Sequence, residues 1–206
     1  MPSRSLDPVP YAPGVTDADL HLLGPVDGRR VLVLGARDPE PAVRFSADGA
    51  HVVLIEPSLD RRRAAEIATD AAKVEWRDTD YAELAFIRAD TIDLAFSVGV
   101  IDEVGDLPRL LRQIHRVLRP GGTFLLAYDH PLARAVSDST LNRPWSNPNP
   151  VTLDRDGVPT TVYPRGAADV FTALVRAGFR VDALAEPVVD GLVPAAIVWR
   201  ARKEGA

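Results

Sequence analysis

Short aliphatic runs that alternate with helical segments are the feature of this sequence that most limits its fold. Residues 30–35 read RVLVLG and residues 50–56 read AHVVLIE. Such near-continuous apolar runs are typical of strands that are buried on both faces. Residues 39–48 predict one helix between them, with prolines in its first turn, where a missing N–H costs little, and Gly49 at its end. The three segments predict a βαβ unit of about 30 residues.

The strongest helical pattern lies at residues 106–118. Its apolar residues recur at i, i+3, i+4 and i+7, and arginines occupy the opposite stripe, which we interpret as a solvated face. Five further strands are predicted at residues 74–76, 91–96, 123–128, 179–185 and 195–200, and two further helices at residues 58–72 and 167–177. Seven strands with interleaved helices predict an α/β fold: a doubly wound, Rossmann-like, seven-stranded sheet, mostly parallel with an antiparallel last strand.

The 206 residues suffice for one domain with a full core. We predict four parts within it: an N-terminal arm and short helix (1–24), a central core (25–132), a lid or substrate loop (133–165), and a C-terminal helix with the last two strands (166–206). The arm is proline-rich and is expected to be irregular and outside the core. Thr16 and Asp19 predict a capping box for the short helix, which Gly24 would end. The lid lacks clear periodicity, which is typical of a functional cover.

The composition excludes several classes of function. The chain has no cysteine, which excludes disulfides, thiolate metal sites and a cysteine nucleophile. No spacing of histidine and acidic residues predicts a metal site. No apolar run is long enough for a membrane span or a signal peptide, and the net charge of −5 attracts no nucleic acid. We therefore expect a soluble, cytoplasmic protein with a small-molecule partner, and the oligomeric state stays open, a homodimer included.

Polar residues follow the predicted strands at the edge where open α/β sheets bind ligands. They fall at residues 35–39, 56–58, 78–79 and 97–99. Glu56 follows Gly35 by 21 positions, close to the spacing at which an acid after the second strand accepts hydrogen bonds from a ribose. An alternative role for Glu56 is a carboxylate that interacts with a helix dipole. The spacing favours an adenosine-type ligand.

The chain resembles the class I S-adenosylmethionine (SAM)-dependent methyltransferases in three stretches, which read VLVLGARDPEPAVRFSADGAHVVLIEPS, WRDTDY and IDLAFSVGVIDEVGDLPRLLRQIHRVLRPGGTFLLAYDHP. The likeness covers roughly residues 20–200 and is most specific from Ile92 to Pro131, where strand, helix and RVLRPGG turn come in the family's order. The resemblance implies SAM as cofactor and in-line methyl transfer to an unidentified small molecule.

The resemblance also implies a set of cofactor-binding residues. They are Tyr11, Gly35, Ala36, Arg37, Glu56, Pro57, Ser58, Asp78, Thr79, Ser97, Val98 and Gly99. Glu56 would hold the ribose hydroxyls, Asp78 would accept from the adenine amino group, and Gly35 with its neighbours would face the methionine part. Tyr11 resembles an aromatic residue that many relatives fold over the cofactor, and the alternative is a tyrosine that pins the arm.

His130 is the candidate catalytic residue, because it follows the fifth strand at the same edge, next to Asp129. As a base toward an acceptor hydroxyl it could contribute about 10²- to 10⁴-fold. The alternative is a histidine hydrogen-bonded to the lid backbone. Methyl transfer depends mostly on holding the reactants in line, so a base is optional. Asp102 and Glu103 stand where many relatives carry a histidine.

The first loop departs from the family pattern, which is an acid, any residue, and Gly-x-Gly-x-Gly. Here Val33 replaces the acid, and Arg37 and Pro39 replace two glycines that permit positive φ and close approach to a ligand. Arg37 could pair with the SAM carboxylate, or it could fill the pocket. The second alternative describes a catalytically inactive, methyltransferase-fold binding or partner protein. A nicotinamide-dependent reductase is a weaker alternative, because GARDPE does not fit G-x-G-x-x-G.

Overall fold

The computed structural model describes residues 8–68, 73–137, 140–141, 149–155, 157–189 and 191–205, without the side chains of residues 134–141. The start of the predicted arm (1–7), the end of the predicted helix at 58–72 and the middle of the predicted lid (142–148) lie outside the described residues. None of the helices in the described part of the chain is long and apolar enough to cross a bilayer.

Strands and helices alternate through the central part of the chain, and short hairpins flank them. In chain order the elements are β1 (Pro10–Ala12), β2 (Val15–Thr16), α1 (Asp17–Leu20), β3 (Arg30–Leu34), α2 (Glu40–Ala47), β4 (His51–Ile55), α3 (Leu59–Ala68), β5 (Val74–Arg77), β6 (Ile92–Val98), α4 (Leu107–Val117), β7 (Leu118–Asp129), α5 (Pro131–Ala135), β8 (Val136–Ser137), β9 (Thr140–Leu141), β10 (Val151–Arg155), β11 (Val158–Val162), α6 (Ala167–Arg176), β12 (Phe179–Ala185) and β13 (Ala196–Lys203).

Seven strands form the main sheet, in the order β12–β13–β7–β6–β3–β4–β5. Strands β3 to β7 run parallel, whereas β13 is antiparallel to both of its neighbours. This confirms the predicted α/β class with an antiparallel last strand. The chain moves outward from β3 to β5 and then returns to β6 on the other side of β3, so the switch point lies between β3 and β6.

Apolar side chains cover both faces of the sheet. On one face α4 buries its predicted stripe, which consists of Leu107, Leu110, Leu111, Ile114 and Val117. On the other face Phe45 of α2 packs edge-on against Phe96, with ring centroids 5.2 Å apart. The opposite stripe of α4 was expected to be solvated, but Arg116 is half-buried because it donates to the carbonyl oxygens of Leu84 and Ile87.

The expectation that the arm stays outside the core is wrong for its described part. Val9, Tyr11 and Val15 are buried in the core, and β1 pairs with β2 as a small hairpin. Proline fits an extended edge strand, so the prolines did not prevent strand formation. The predicted capping box is present, with the Thr16 N–H donating to the Asp19 carboxylate at 2.9 Å. However, α1 ends at left-handed His21 instead of Gly24.

The lid region contains a regular hairpin that its sequence did not reveal. Strands β10 and β11 pair antiparallel, joined by a turn in which the Gly157 N–H donates to Asp154 Oδ1 at 2.8 Å. Two of the inward positions carry polar side chains, Arg155 and Thr160, both buried, which interrupts the alternation that normally marks a strand. We call residues 151–162 the β10–β11 hairpin.

Candidate functional site

Two clefts open at the carboxyl edge of the sheet. The larger holds about 800 Å³ and is bordered by residues 56–58 after β4, 80–83 after β5, 103–106 after β6, and 158–161 of the β10–β11 hairpin. We call it the Glu56 cleft. The second holds about 440 Å³ and lies between the β1–β2 hairpin and the loops after β3 and β6. We call it the Gly35 cleft. Both volumes are in the range of small-molecule sites.

Glu56 has a fully buried carboxylate that the surrounding loops hold in place. Its Oε2 accepts from the Ala36 N–H and its Oε1 from the Ser58 N–H, each at 2.8 Å. The Tyr81 hydroxyl lies 3.2–3.3 Å from both oxygens. A carboxylate has about four acceptor positions, so these three donors leave one of them unused. Because Ser58 directly precedes α3, the carboxylate also lies at that helix N-terminus, as its alternative role requires.

Tyr81 is a functional candidate that the sequence did not indicate. Burial, and then the charges of Glu56 and Glu103, raise the pKa of Tyr81 well above its usual range. The hydroxyl therefore stays protonated at neutral pH and can only serve Glu56 as a donor. No spacing rule marks this tyrosine, because it reaches Glu56 from the loop after a different strand.

The first loop keeps its glycine where the backbone requires one. Gly35 has φ +89°, and a Cβ there would collide with the Val100 side chain. Among the described residues, positive φ outside glycine occurs only at His21 and Asp90, so neither Arg37 nor Pro39 needs the freedom of glycine. Arg37 is exposed and borders the Gly35 cleft, where its guanidinium lies 3.9–4.0 Å from the position that a Cβ of Gly99 would take.

Tyr11 belongs to the arm and also borders one of the clefts. Its buried hydroxyl donates to Asp17 Oδ1 at 2.7 Å, which pins the β1–β2 hairpin to α1. Its ring lies 6.0 Å from that of Phe96, and the residue borders the Gly35 cleft. Tyr11 therefore stabilises the arm and forms part of the cleft wall.

The other predicted cofactor residues divide between cleft and surroundings. Pro57 and Ser58 border the Glu56 cleft, and Val98 and Gly99 border the Gly35 cleft. Asp78 and Thr79 are not among the described residues that border either cleft; Asp78 is exposed and forms an ion pair with Arg62 of α3. Ser97 is buried beneath the edge, and its Oγ has no hydrogen-bond partner among the described residues.

Both ring nitrogens of His130 are engaged. Nδ1 accepts from the Leu132 N–H at 3.0 Å, so Nε2 carries the proton and faces Glu186 Oε1 at 3.2 Å. The side chain is buried, and His130 is not among the described residues that border the two clefts. The backbone contact of His130 is thus made to Leu132, which directly precedes the predicted lid, and the catalytic role stays a prediction.

A buried charge network joins the β10–β11 hairpin to the loop after β6. Arg155 contacts Asp102 at 2.8 Å and Glu103 at 2.7 Å, and donates to the Gly99 carbonyl oxygen at 3.1 Å. Arg61 of α3 contacts the other oxygen of Glu103 at 2.8 Å. Burial lowers the pKa of Arg155, but the hydrogen bonds and charges of Asp102 and Glu103 outweigh it and hold that pKa above its ordinary value. The guanidinium is therefore permanently charged.

Comparison with known proteins supplies independent evidence. Residues 32–126 match the family model of a methyltransferase domain. The ubiquinone/menaquinone biosynthesis C-methyltransferase of Rubrivivax gelatinosus is 28% identical over 108 residues, 52% of this chain and 41% of that protein. The ubiquinone biosynthesis O-methyltransferase of Rhodopseudomonas palustris is 27% identical over 124 residues, 59% of this chain and 44% of that protein. The match thus spans less than half the length of either curated relative.

A solved structure shares the fold over almost the whole chain. It is a protein from Listeria monocytogenes that carries the name S-adenosylmethionine-dependent methyltransferase, and it superimposes with a TM-score of 0.76. The superposition covers 92% of this chain and 98% of that one at 19% identity. At that identity, the likeness shows a common fold.

Proposed function

We propose that this chain is a class I SAM-dependent methyltransferase, and that it transfers a methyl group from SAM to a small organic molecule. The methyltransferase domain matched over residues 32–126 supports the family assignment. The observation that carries the proposal is the fixed, fully buried Glu56 carboxylate at the border of an adenosine-sized cleft. Such a carboxylate strengthens the binding only of a ligand that carries hydrogen-bond donors at that point.

The residues present fit both halves of SAM. At the adenosyl end, Glu56 retains an acceptor position for a ribose hydroxyl, and Pro57 and Ser58 border the space beside it. At the methionine end, Gly35 and Gly99 expose backbone to the Gly35 cleft, and the guanidinium of Arg37 can pair with a carboxylate. Arg37 and Pro39 thus do not argue against the cofactor.

When bound, SAM supplies an electrophilic methyl group, and the chain contributes mainly by holding an acceptor in line with it. Proximity and orientation of this kind contribute about 7–11 kcal/mol to lowering a barrier. We propose no general base at His130, because both of its ring nitrogens are already engaged. Positioning of the reactants by the two clefts is then the main contribution of the chain to catalysis.

The acceptor is proposed only as a small organic molecule. The two curated relatives are named as a C-methyltransferase and an O-methyltransferase of ubiquinone biosynthesis, so relatives of this domain methylate both carbon and oxygen. The absence of cysteine agrees with a cytoplasmic setting.

A second candidate function is a methyltransferase-fold binding protein that does not take SAM. One observation favours it. Arg155 contacts Gly99 and Asp129, which border the Gly35 cleft. The same guanidinium contacts Glu103, which borders the Glu56 cleft. A fixed link of this kind would keep the clefts separate.

Titration calorimetry with SAM and its demethylated product tests the proposal. We expect the wild type to bind, the Glu56→Gln variant to bind at least about tenfold more weakly, and the Glu204→Gln variant, altered at an exposed position outside the clefts, to bind like wild type. SAM at 100 times its Kd should add about 2.7 kcal/mol to the free energy of unfolding. Equal affinity of the Glu56→Gln variant would contradict the site, and failure of the wild type and of all variants to bind would favour the second candidate.

A further inference from the structure

We infer that residues 99–100, at the start of the loop after β6, are a plug that closes the passage between the two clefts, and that Arg155 of the β10–β11 hairpin is the latch that holds it shut. The inference rests on the proposed function, because it concerns the entry of SAM.

The two clefts adjoin at the ends of β3 and β4. Ala36, next to Gly35, donates its N–H directly to Glu56 at 2.8 Å, so the floors of the two clefts lie side by side. A ligand that uses Glu56 at one end and Gly35 at the other must cross this point. We call it the junction.

The junction is filled by side chains of the protein itself. The Val100 side chain packs so closely on Gly35 that a Cβ there would collide with it, and the Tyr81 hydroxyl lies 3.8 Å from the same Cβ position. Val100 is buried. Since Val100 lies at the start of the loop after β6, this end of the loop has to shift before a ligand can span both clefts.

The β10–β11 hairpin holds this loop down. The Arg155 guanidinium binds the Gly99 carbonyl oxygen on one side of Val100 and the carboxylates of Asp102 and Glu103 on the other. Thr160 of the same hairpin accepts from Arg61 at 2.9 Å, which ties the hairpin to α3 as well. Both sides of the plug are therefore fastened by one arginine.

The chain beyond the hairpin holds the rest of the loop after β6 in place independently of the latch. The Tyr163 N–H donates to the Asp102 carbonyl oxygen at 2.7 Å, and Arg165 donates to the carbonyl oxygen of Ile101 at 3.2 Å. Arg155, by contrast, stands beside the turn at the tip of the hairpin. Release of Arg155 alone would free the hairpin tip and the plug, while Ile101 and Asp102 stay attached to Tyr163 and Arg165.

A latch of this kind has a defined effect on binding. If only the open form accepts SAM, the apparent Kd equals the intrinsic Kd divided by the open fraction, and the observed binding rate saturates at the rate of opening. Weakening the latch raises the open fraction, so association becomes faster without any new contact to the ligand.

Stopped-flow binding of SAM to the full chain tests the inference with three variants. The double variant Arg155→Met/Asp102→Asn removes the latch without leaving a buried unpaired charge. Val100→Ala opens the junction by an independent route, and Arg112→Met, on an exposed position of α4, is the control. Hydrogen exchange of residues 151–162 without ligand gives a readout that does not depend on binding.

We expect saturating rates for wild type and for the Arg112→Met variant. The double variant and the Val100→Ala variant should associate on the order of tenfold faster, and the hairpin amides of the double variant should exchange faster. Binding by the double variant but not by wild type would also support the latch. If all proteins associated at equal rates that rise linearly with the SAM concentration, the latch would be overturned and the proposed function would stay intact. Absence of binding in every protein would overturn both.

Discussion

At Glu56 a buried carboxylate faces a buried phenol, and this contact makes stability depend on alkaline pH. The pKa of Tyr81 is raised, first by burial and then by Glu56, from a reference value of 10.0. A raised pKa means that the folded form keeps its proton where the unfolded form loses it. The stabilisation is therefore fully present below pH 10 and is lost as pH rises above it.

We expect that the ionisation of Tyr81 lowers the free energy of unfolding by about 1.4 kcal/mol per pH unit above pH 10. The Tyr81→Phe variant should lack this component, so its stability should decline less steeply than that of wild type. Urea unfolding between pH 9 and pH 11 measures both slopes. Parallel slopes would show that Tyr81 ionises equally easily in both states and would contradict the contact with Glu56.

Arg155 and Asp102 allow a second test at the same scale. Asp102 is 1% exposed, so the Arg155→Met variant leaves its charge buried without this partner and should lose about 3–5 kcal/mol in the free energy of unfolding. Adding Asp102→Asn removes the orphaned charge, so the double variant should be more stable than the single one. Urea denaturation of wild type, both single variants and the double variant completes the double-mutant cycle. If the double variant were no more stable than the Arg155→Met variant, that result would contradict a buried ion pair.

The candidate site was only partly predictable at the residue scale. Glu56 could be found because the ends of adjacent parallel strands meet, and its distance from Gly35 in sequence reflects one βαβ unit. Arg155 could not be found in this way. It meets Asp102 across 53 positions of sequence, and a charged residue in a strand pattern normally indicates a solvated face.

Among the elements, the β1–β2 hairpin shows where sequence reasoning failed. Helices and sheet strands were predictable because their apolar residues recur with the period of the element, as the buried stripe of α4 illustrates. The hairpin is too short for a period, and its prolines resemble those of an irregular arm. Only the structure shows that Val9 and Tyr11 alternate into the core.

Tyr11 provides a test of that hairpin. Its ring is 1% exposed and packs near Phe96, so the Tyr11→Ala variant should lose about 3–5 kcal/mol in the free energy of unfolding. A residue of a loose arm would change it by less than about 0.5 kcal/mol. The exposed Pro8 provides the matched control, and the Pro8→Ala variant should unfold like wild type. Chemical denaturation distinguishes the two outcomes.

At the scale of the whole molecule, the position of the switch point explains why there are two clefts and one junction. Strands β4 and β5 continue the sheet on one side of β3, and β6 and β7 on the other. The loops after β4 and β5 therefore form the Glu56 cleft, and the loops after β3 and β6 contribute to the Gly35 cleft. A ligand confined to one cleft and a ligand that spans both should then respond differently to changes at the junction.

Adenosine and SAM make this comparison within one molecule. Adenosine fits the Glu56 cleft alone, so its affinity should change by less than about twofold in the Val100→Ala variant, because no loop has to move for it. SAM has to cross the junction, so the same variant should bind it on the order of tenfold more tightly. Calorimetry with both ligands on wild type and the Val100→Ala variant measures the two ratios. Equal changes for adenosine and SAM would mean that Val100 acts on the Glu56 cleft itself, whereas an effect confined to SAM would assign its role to the passage between the clefts.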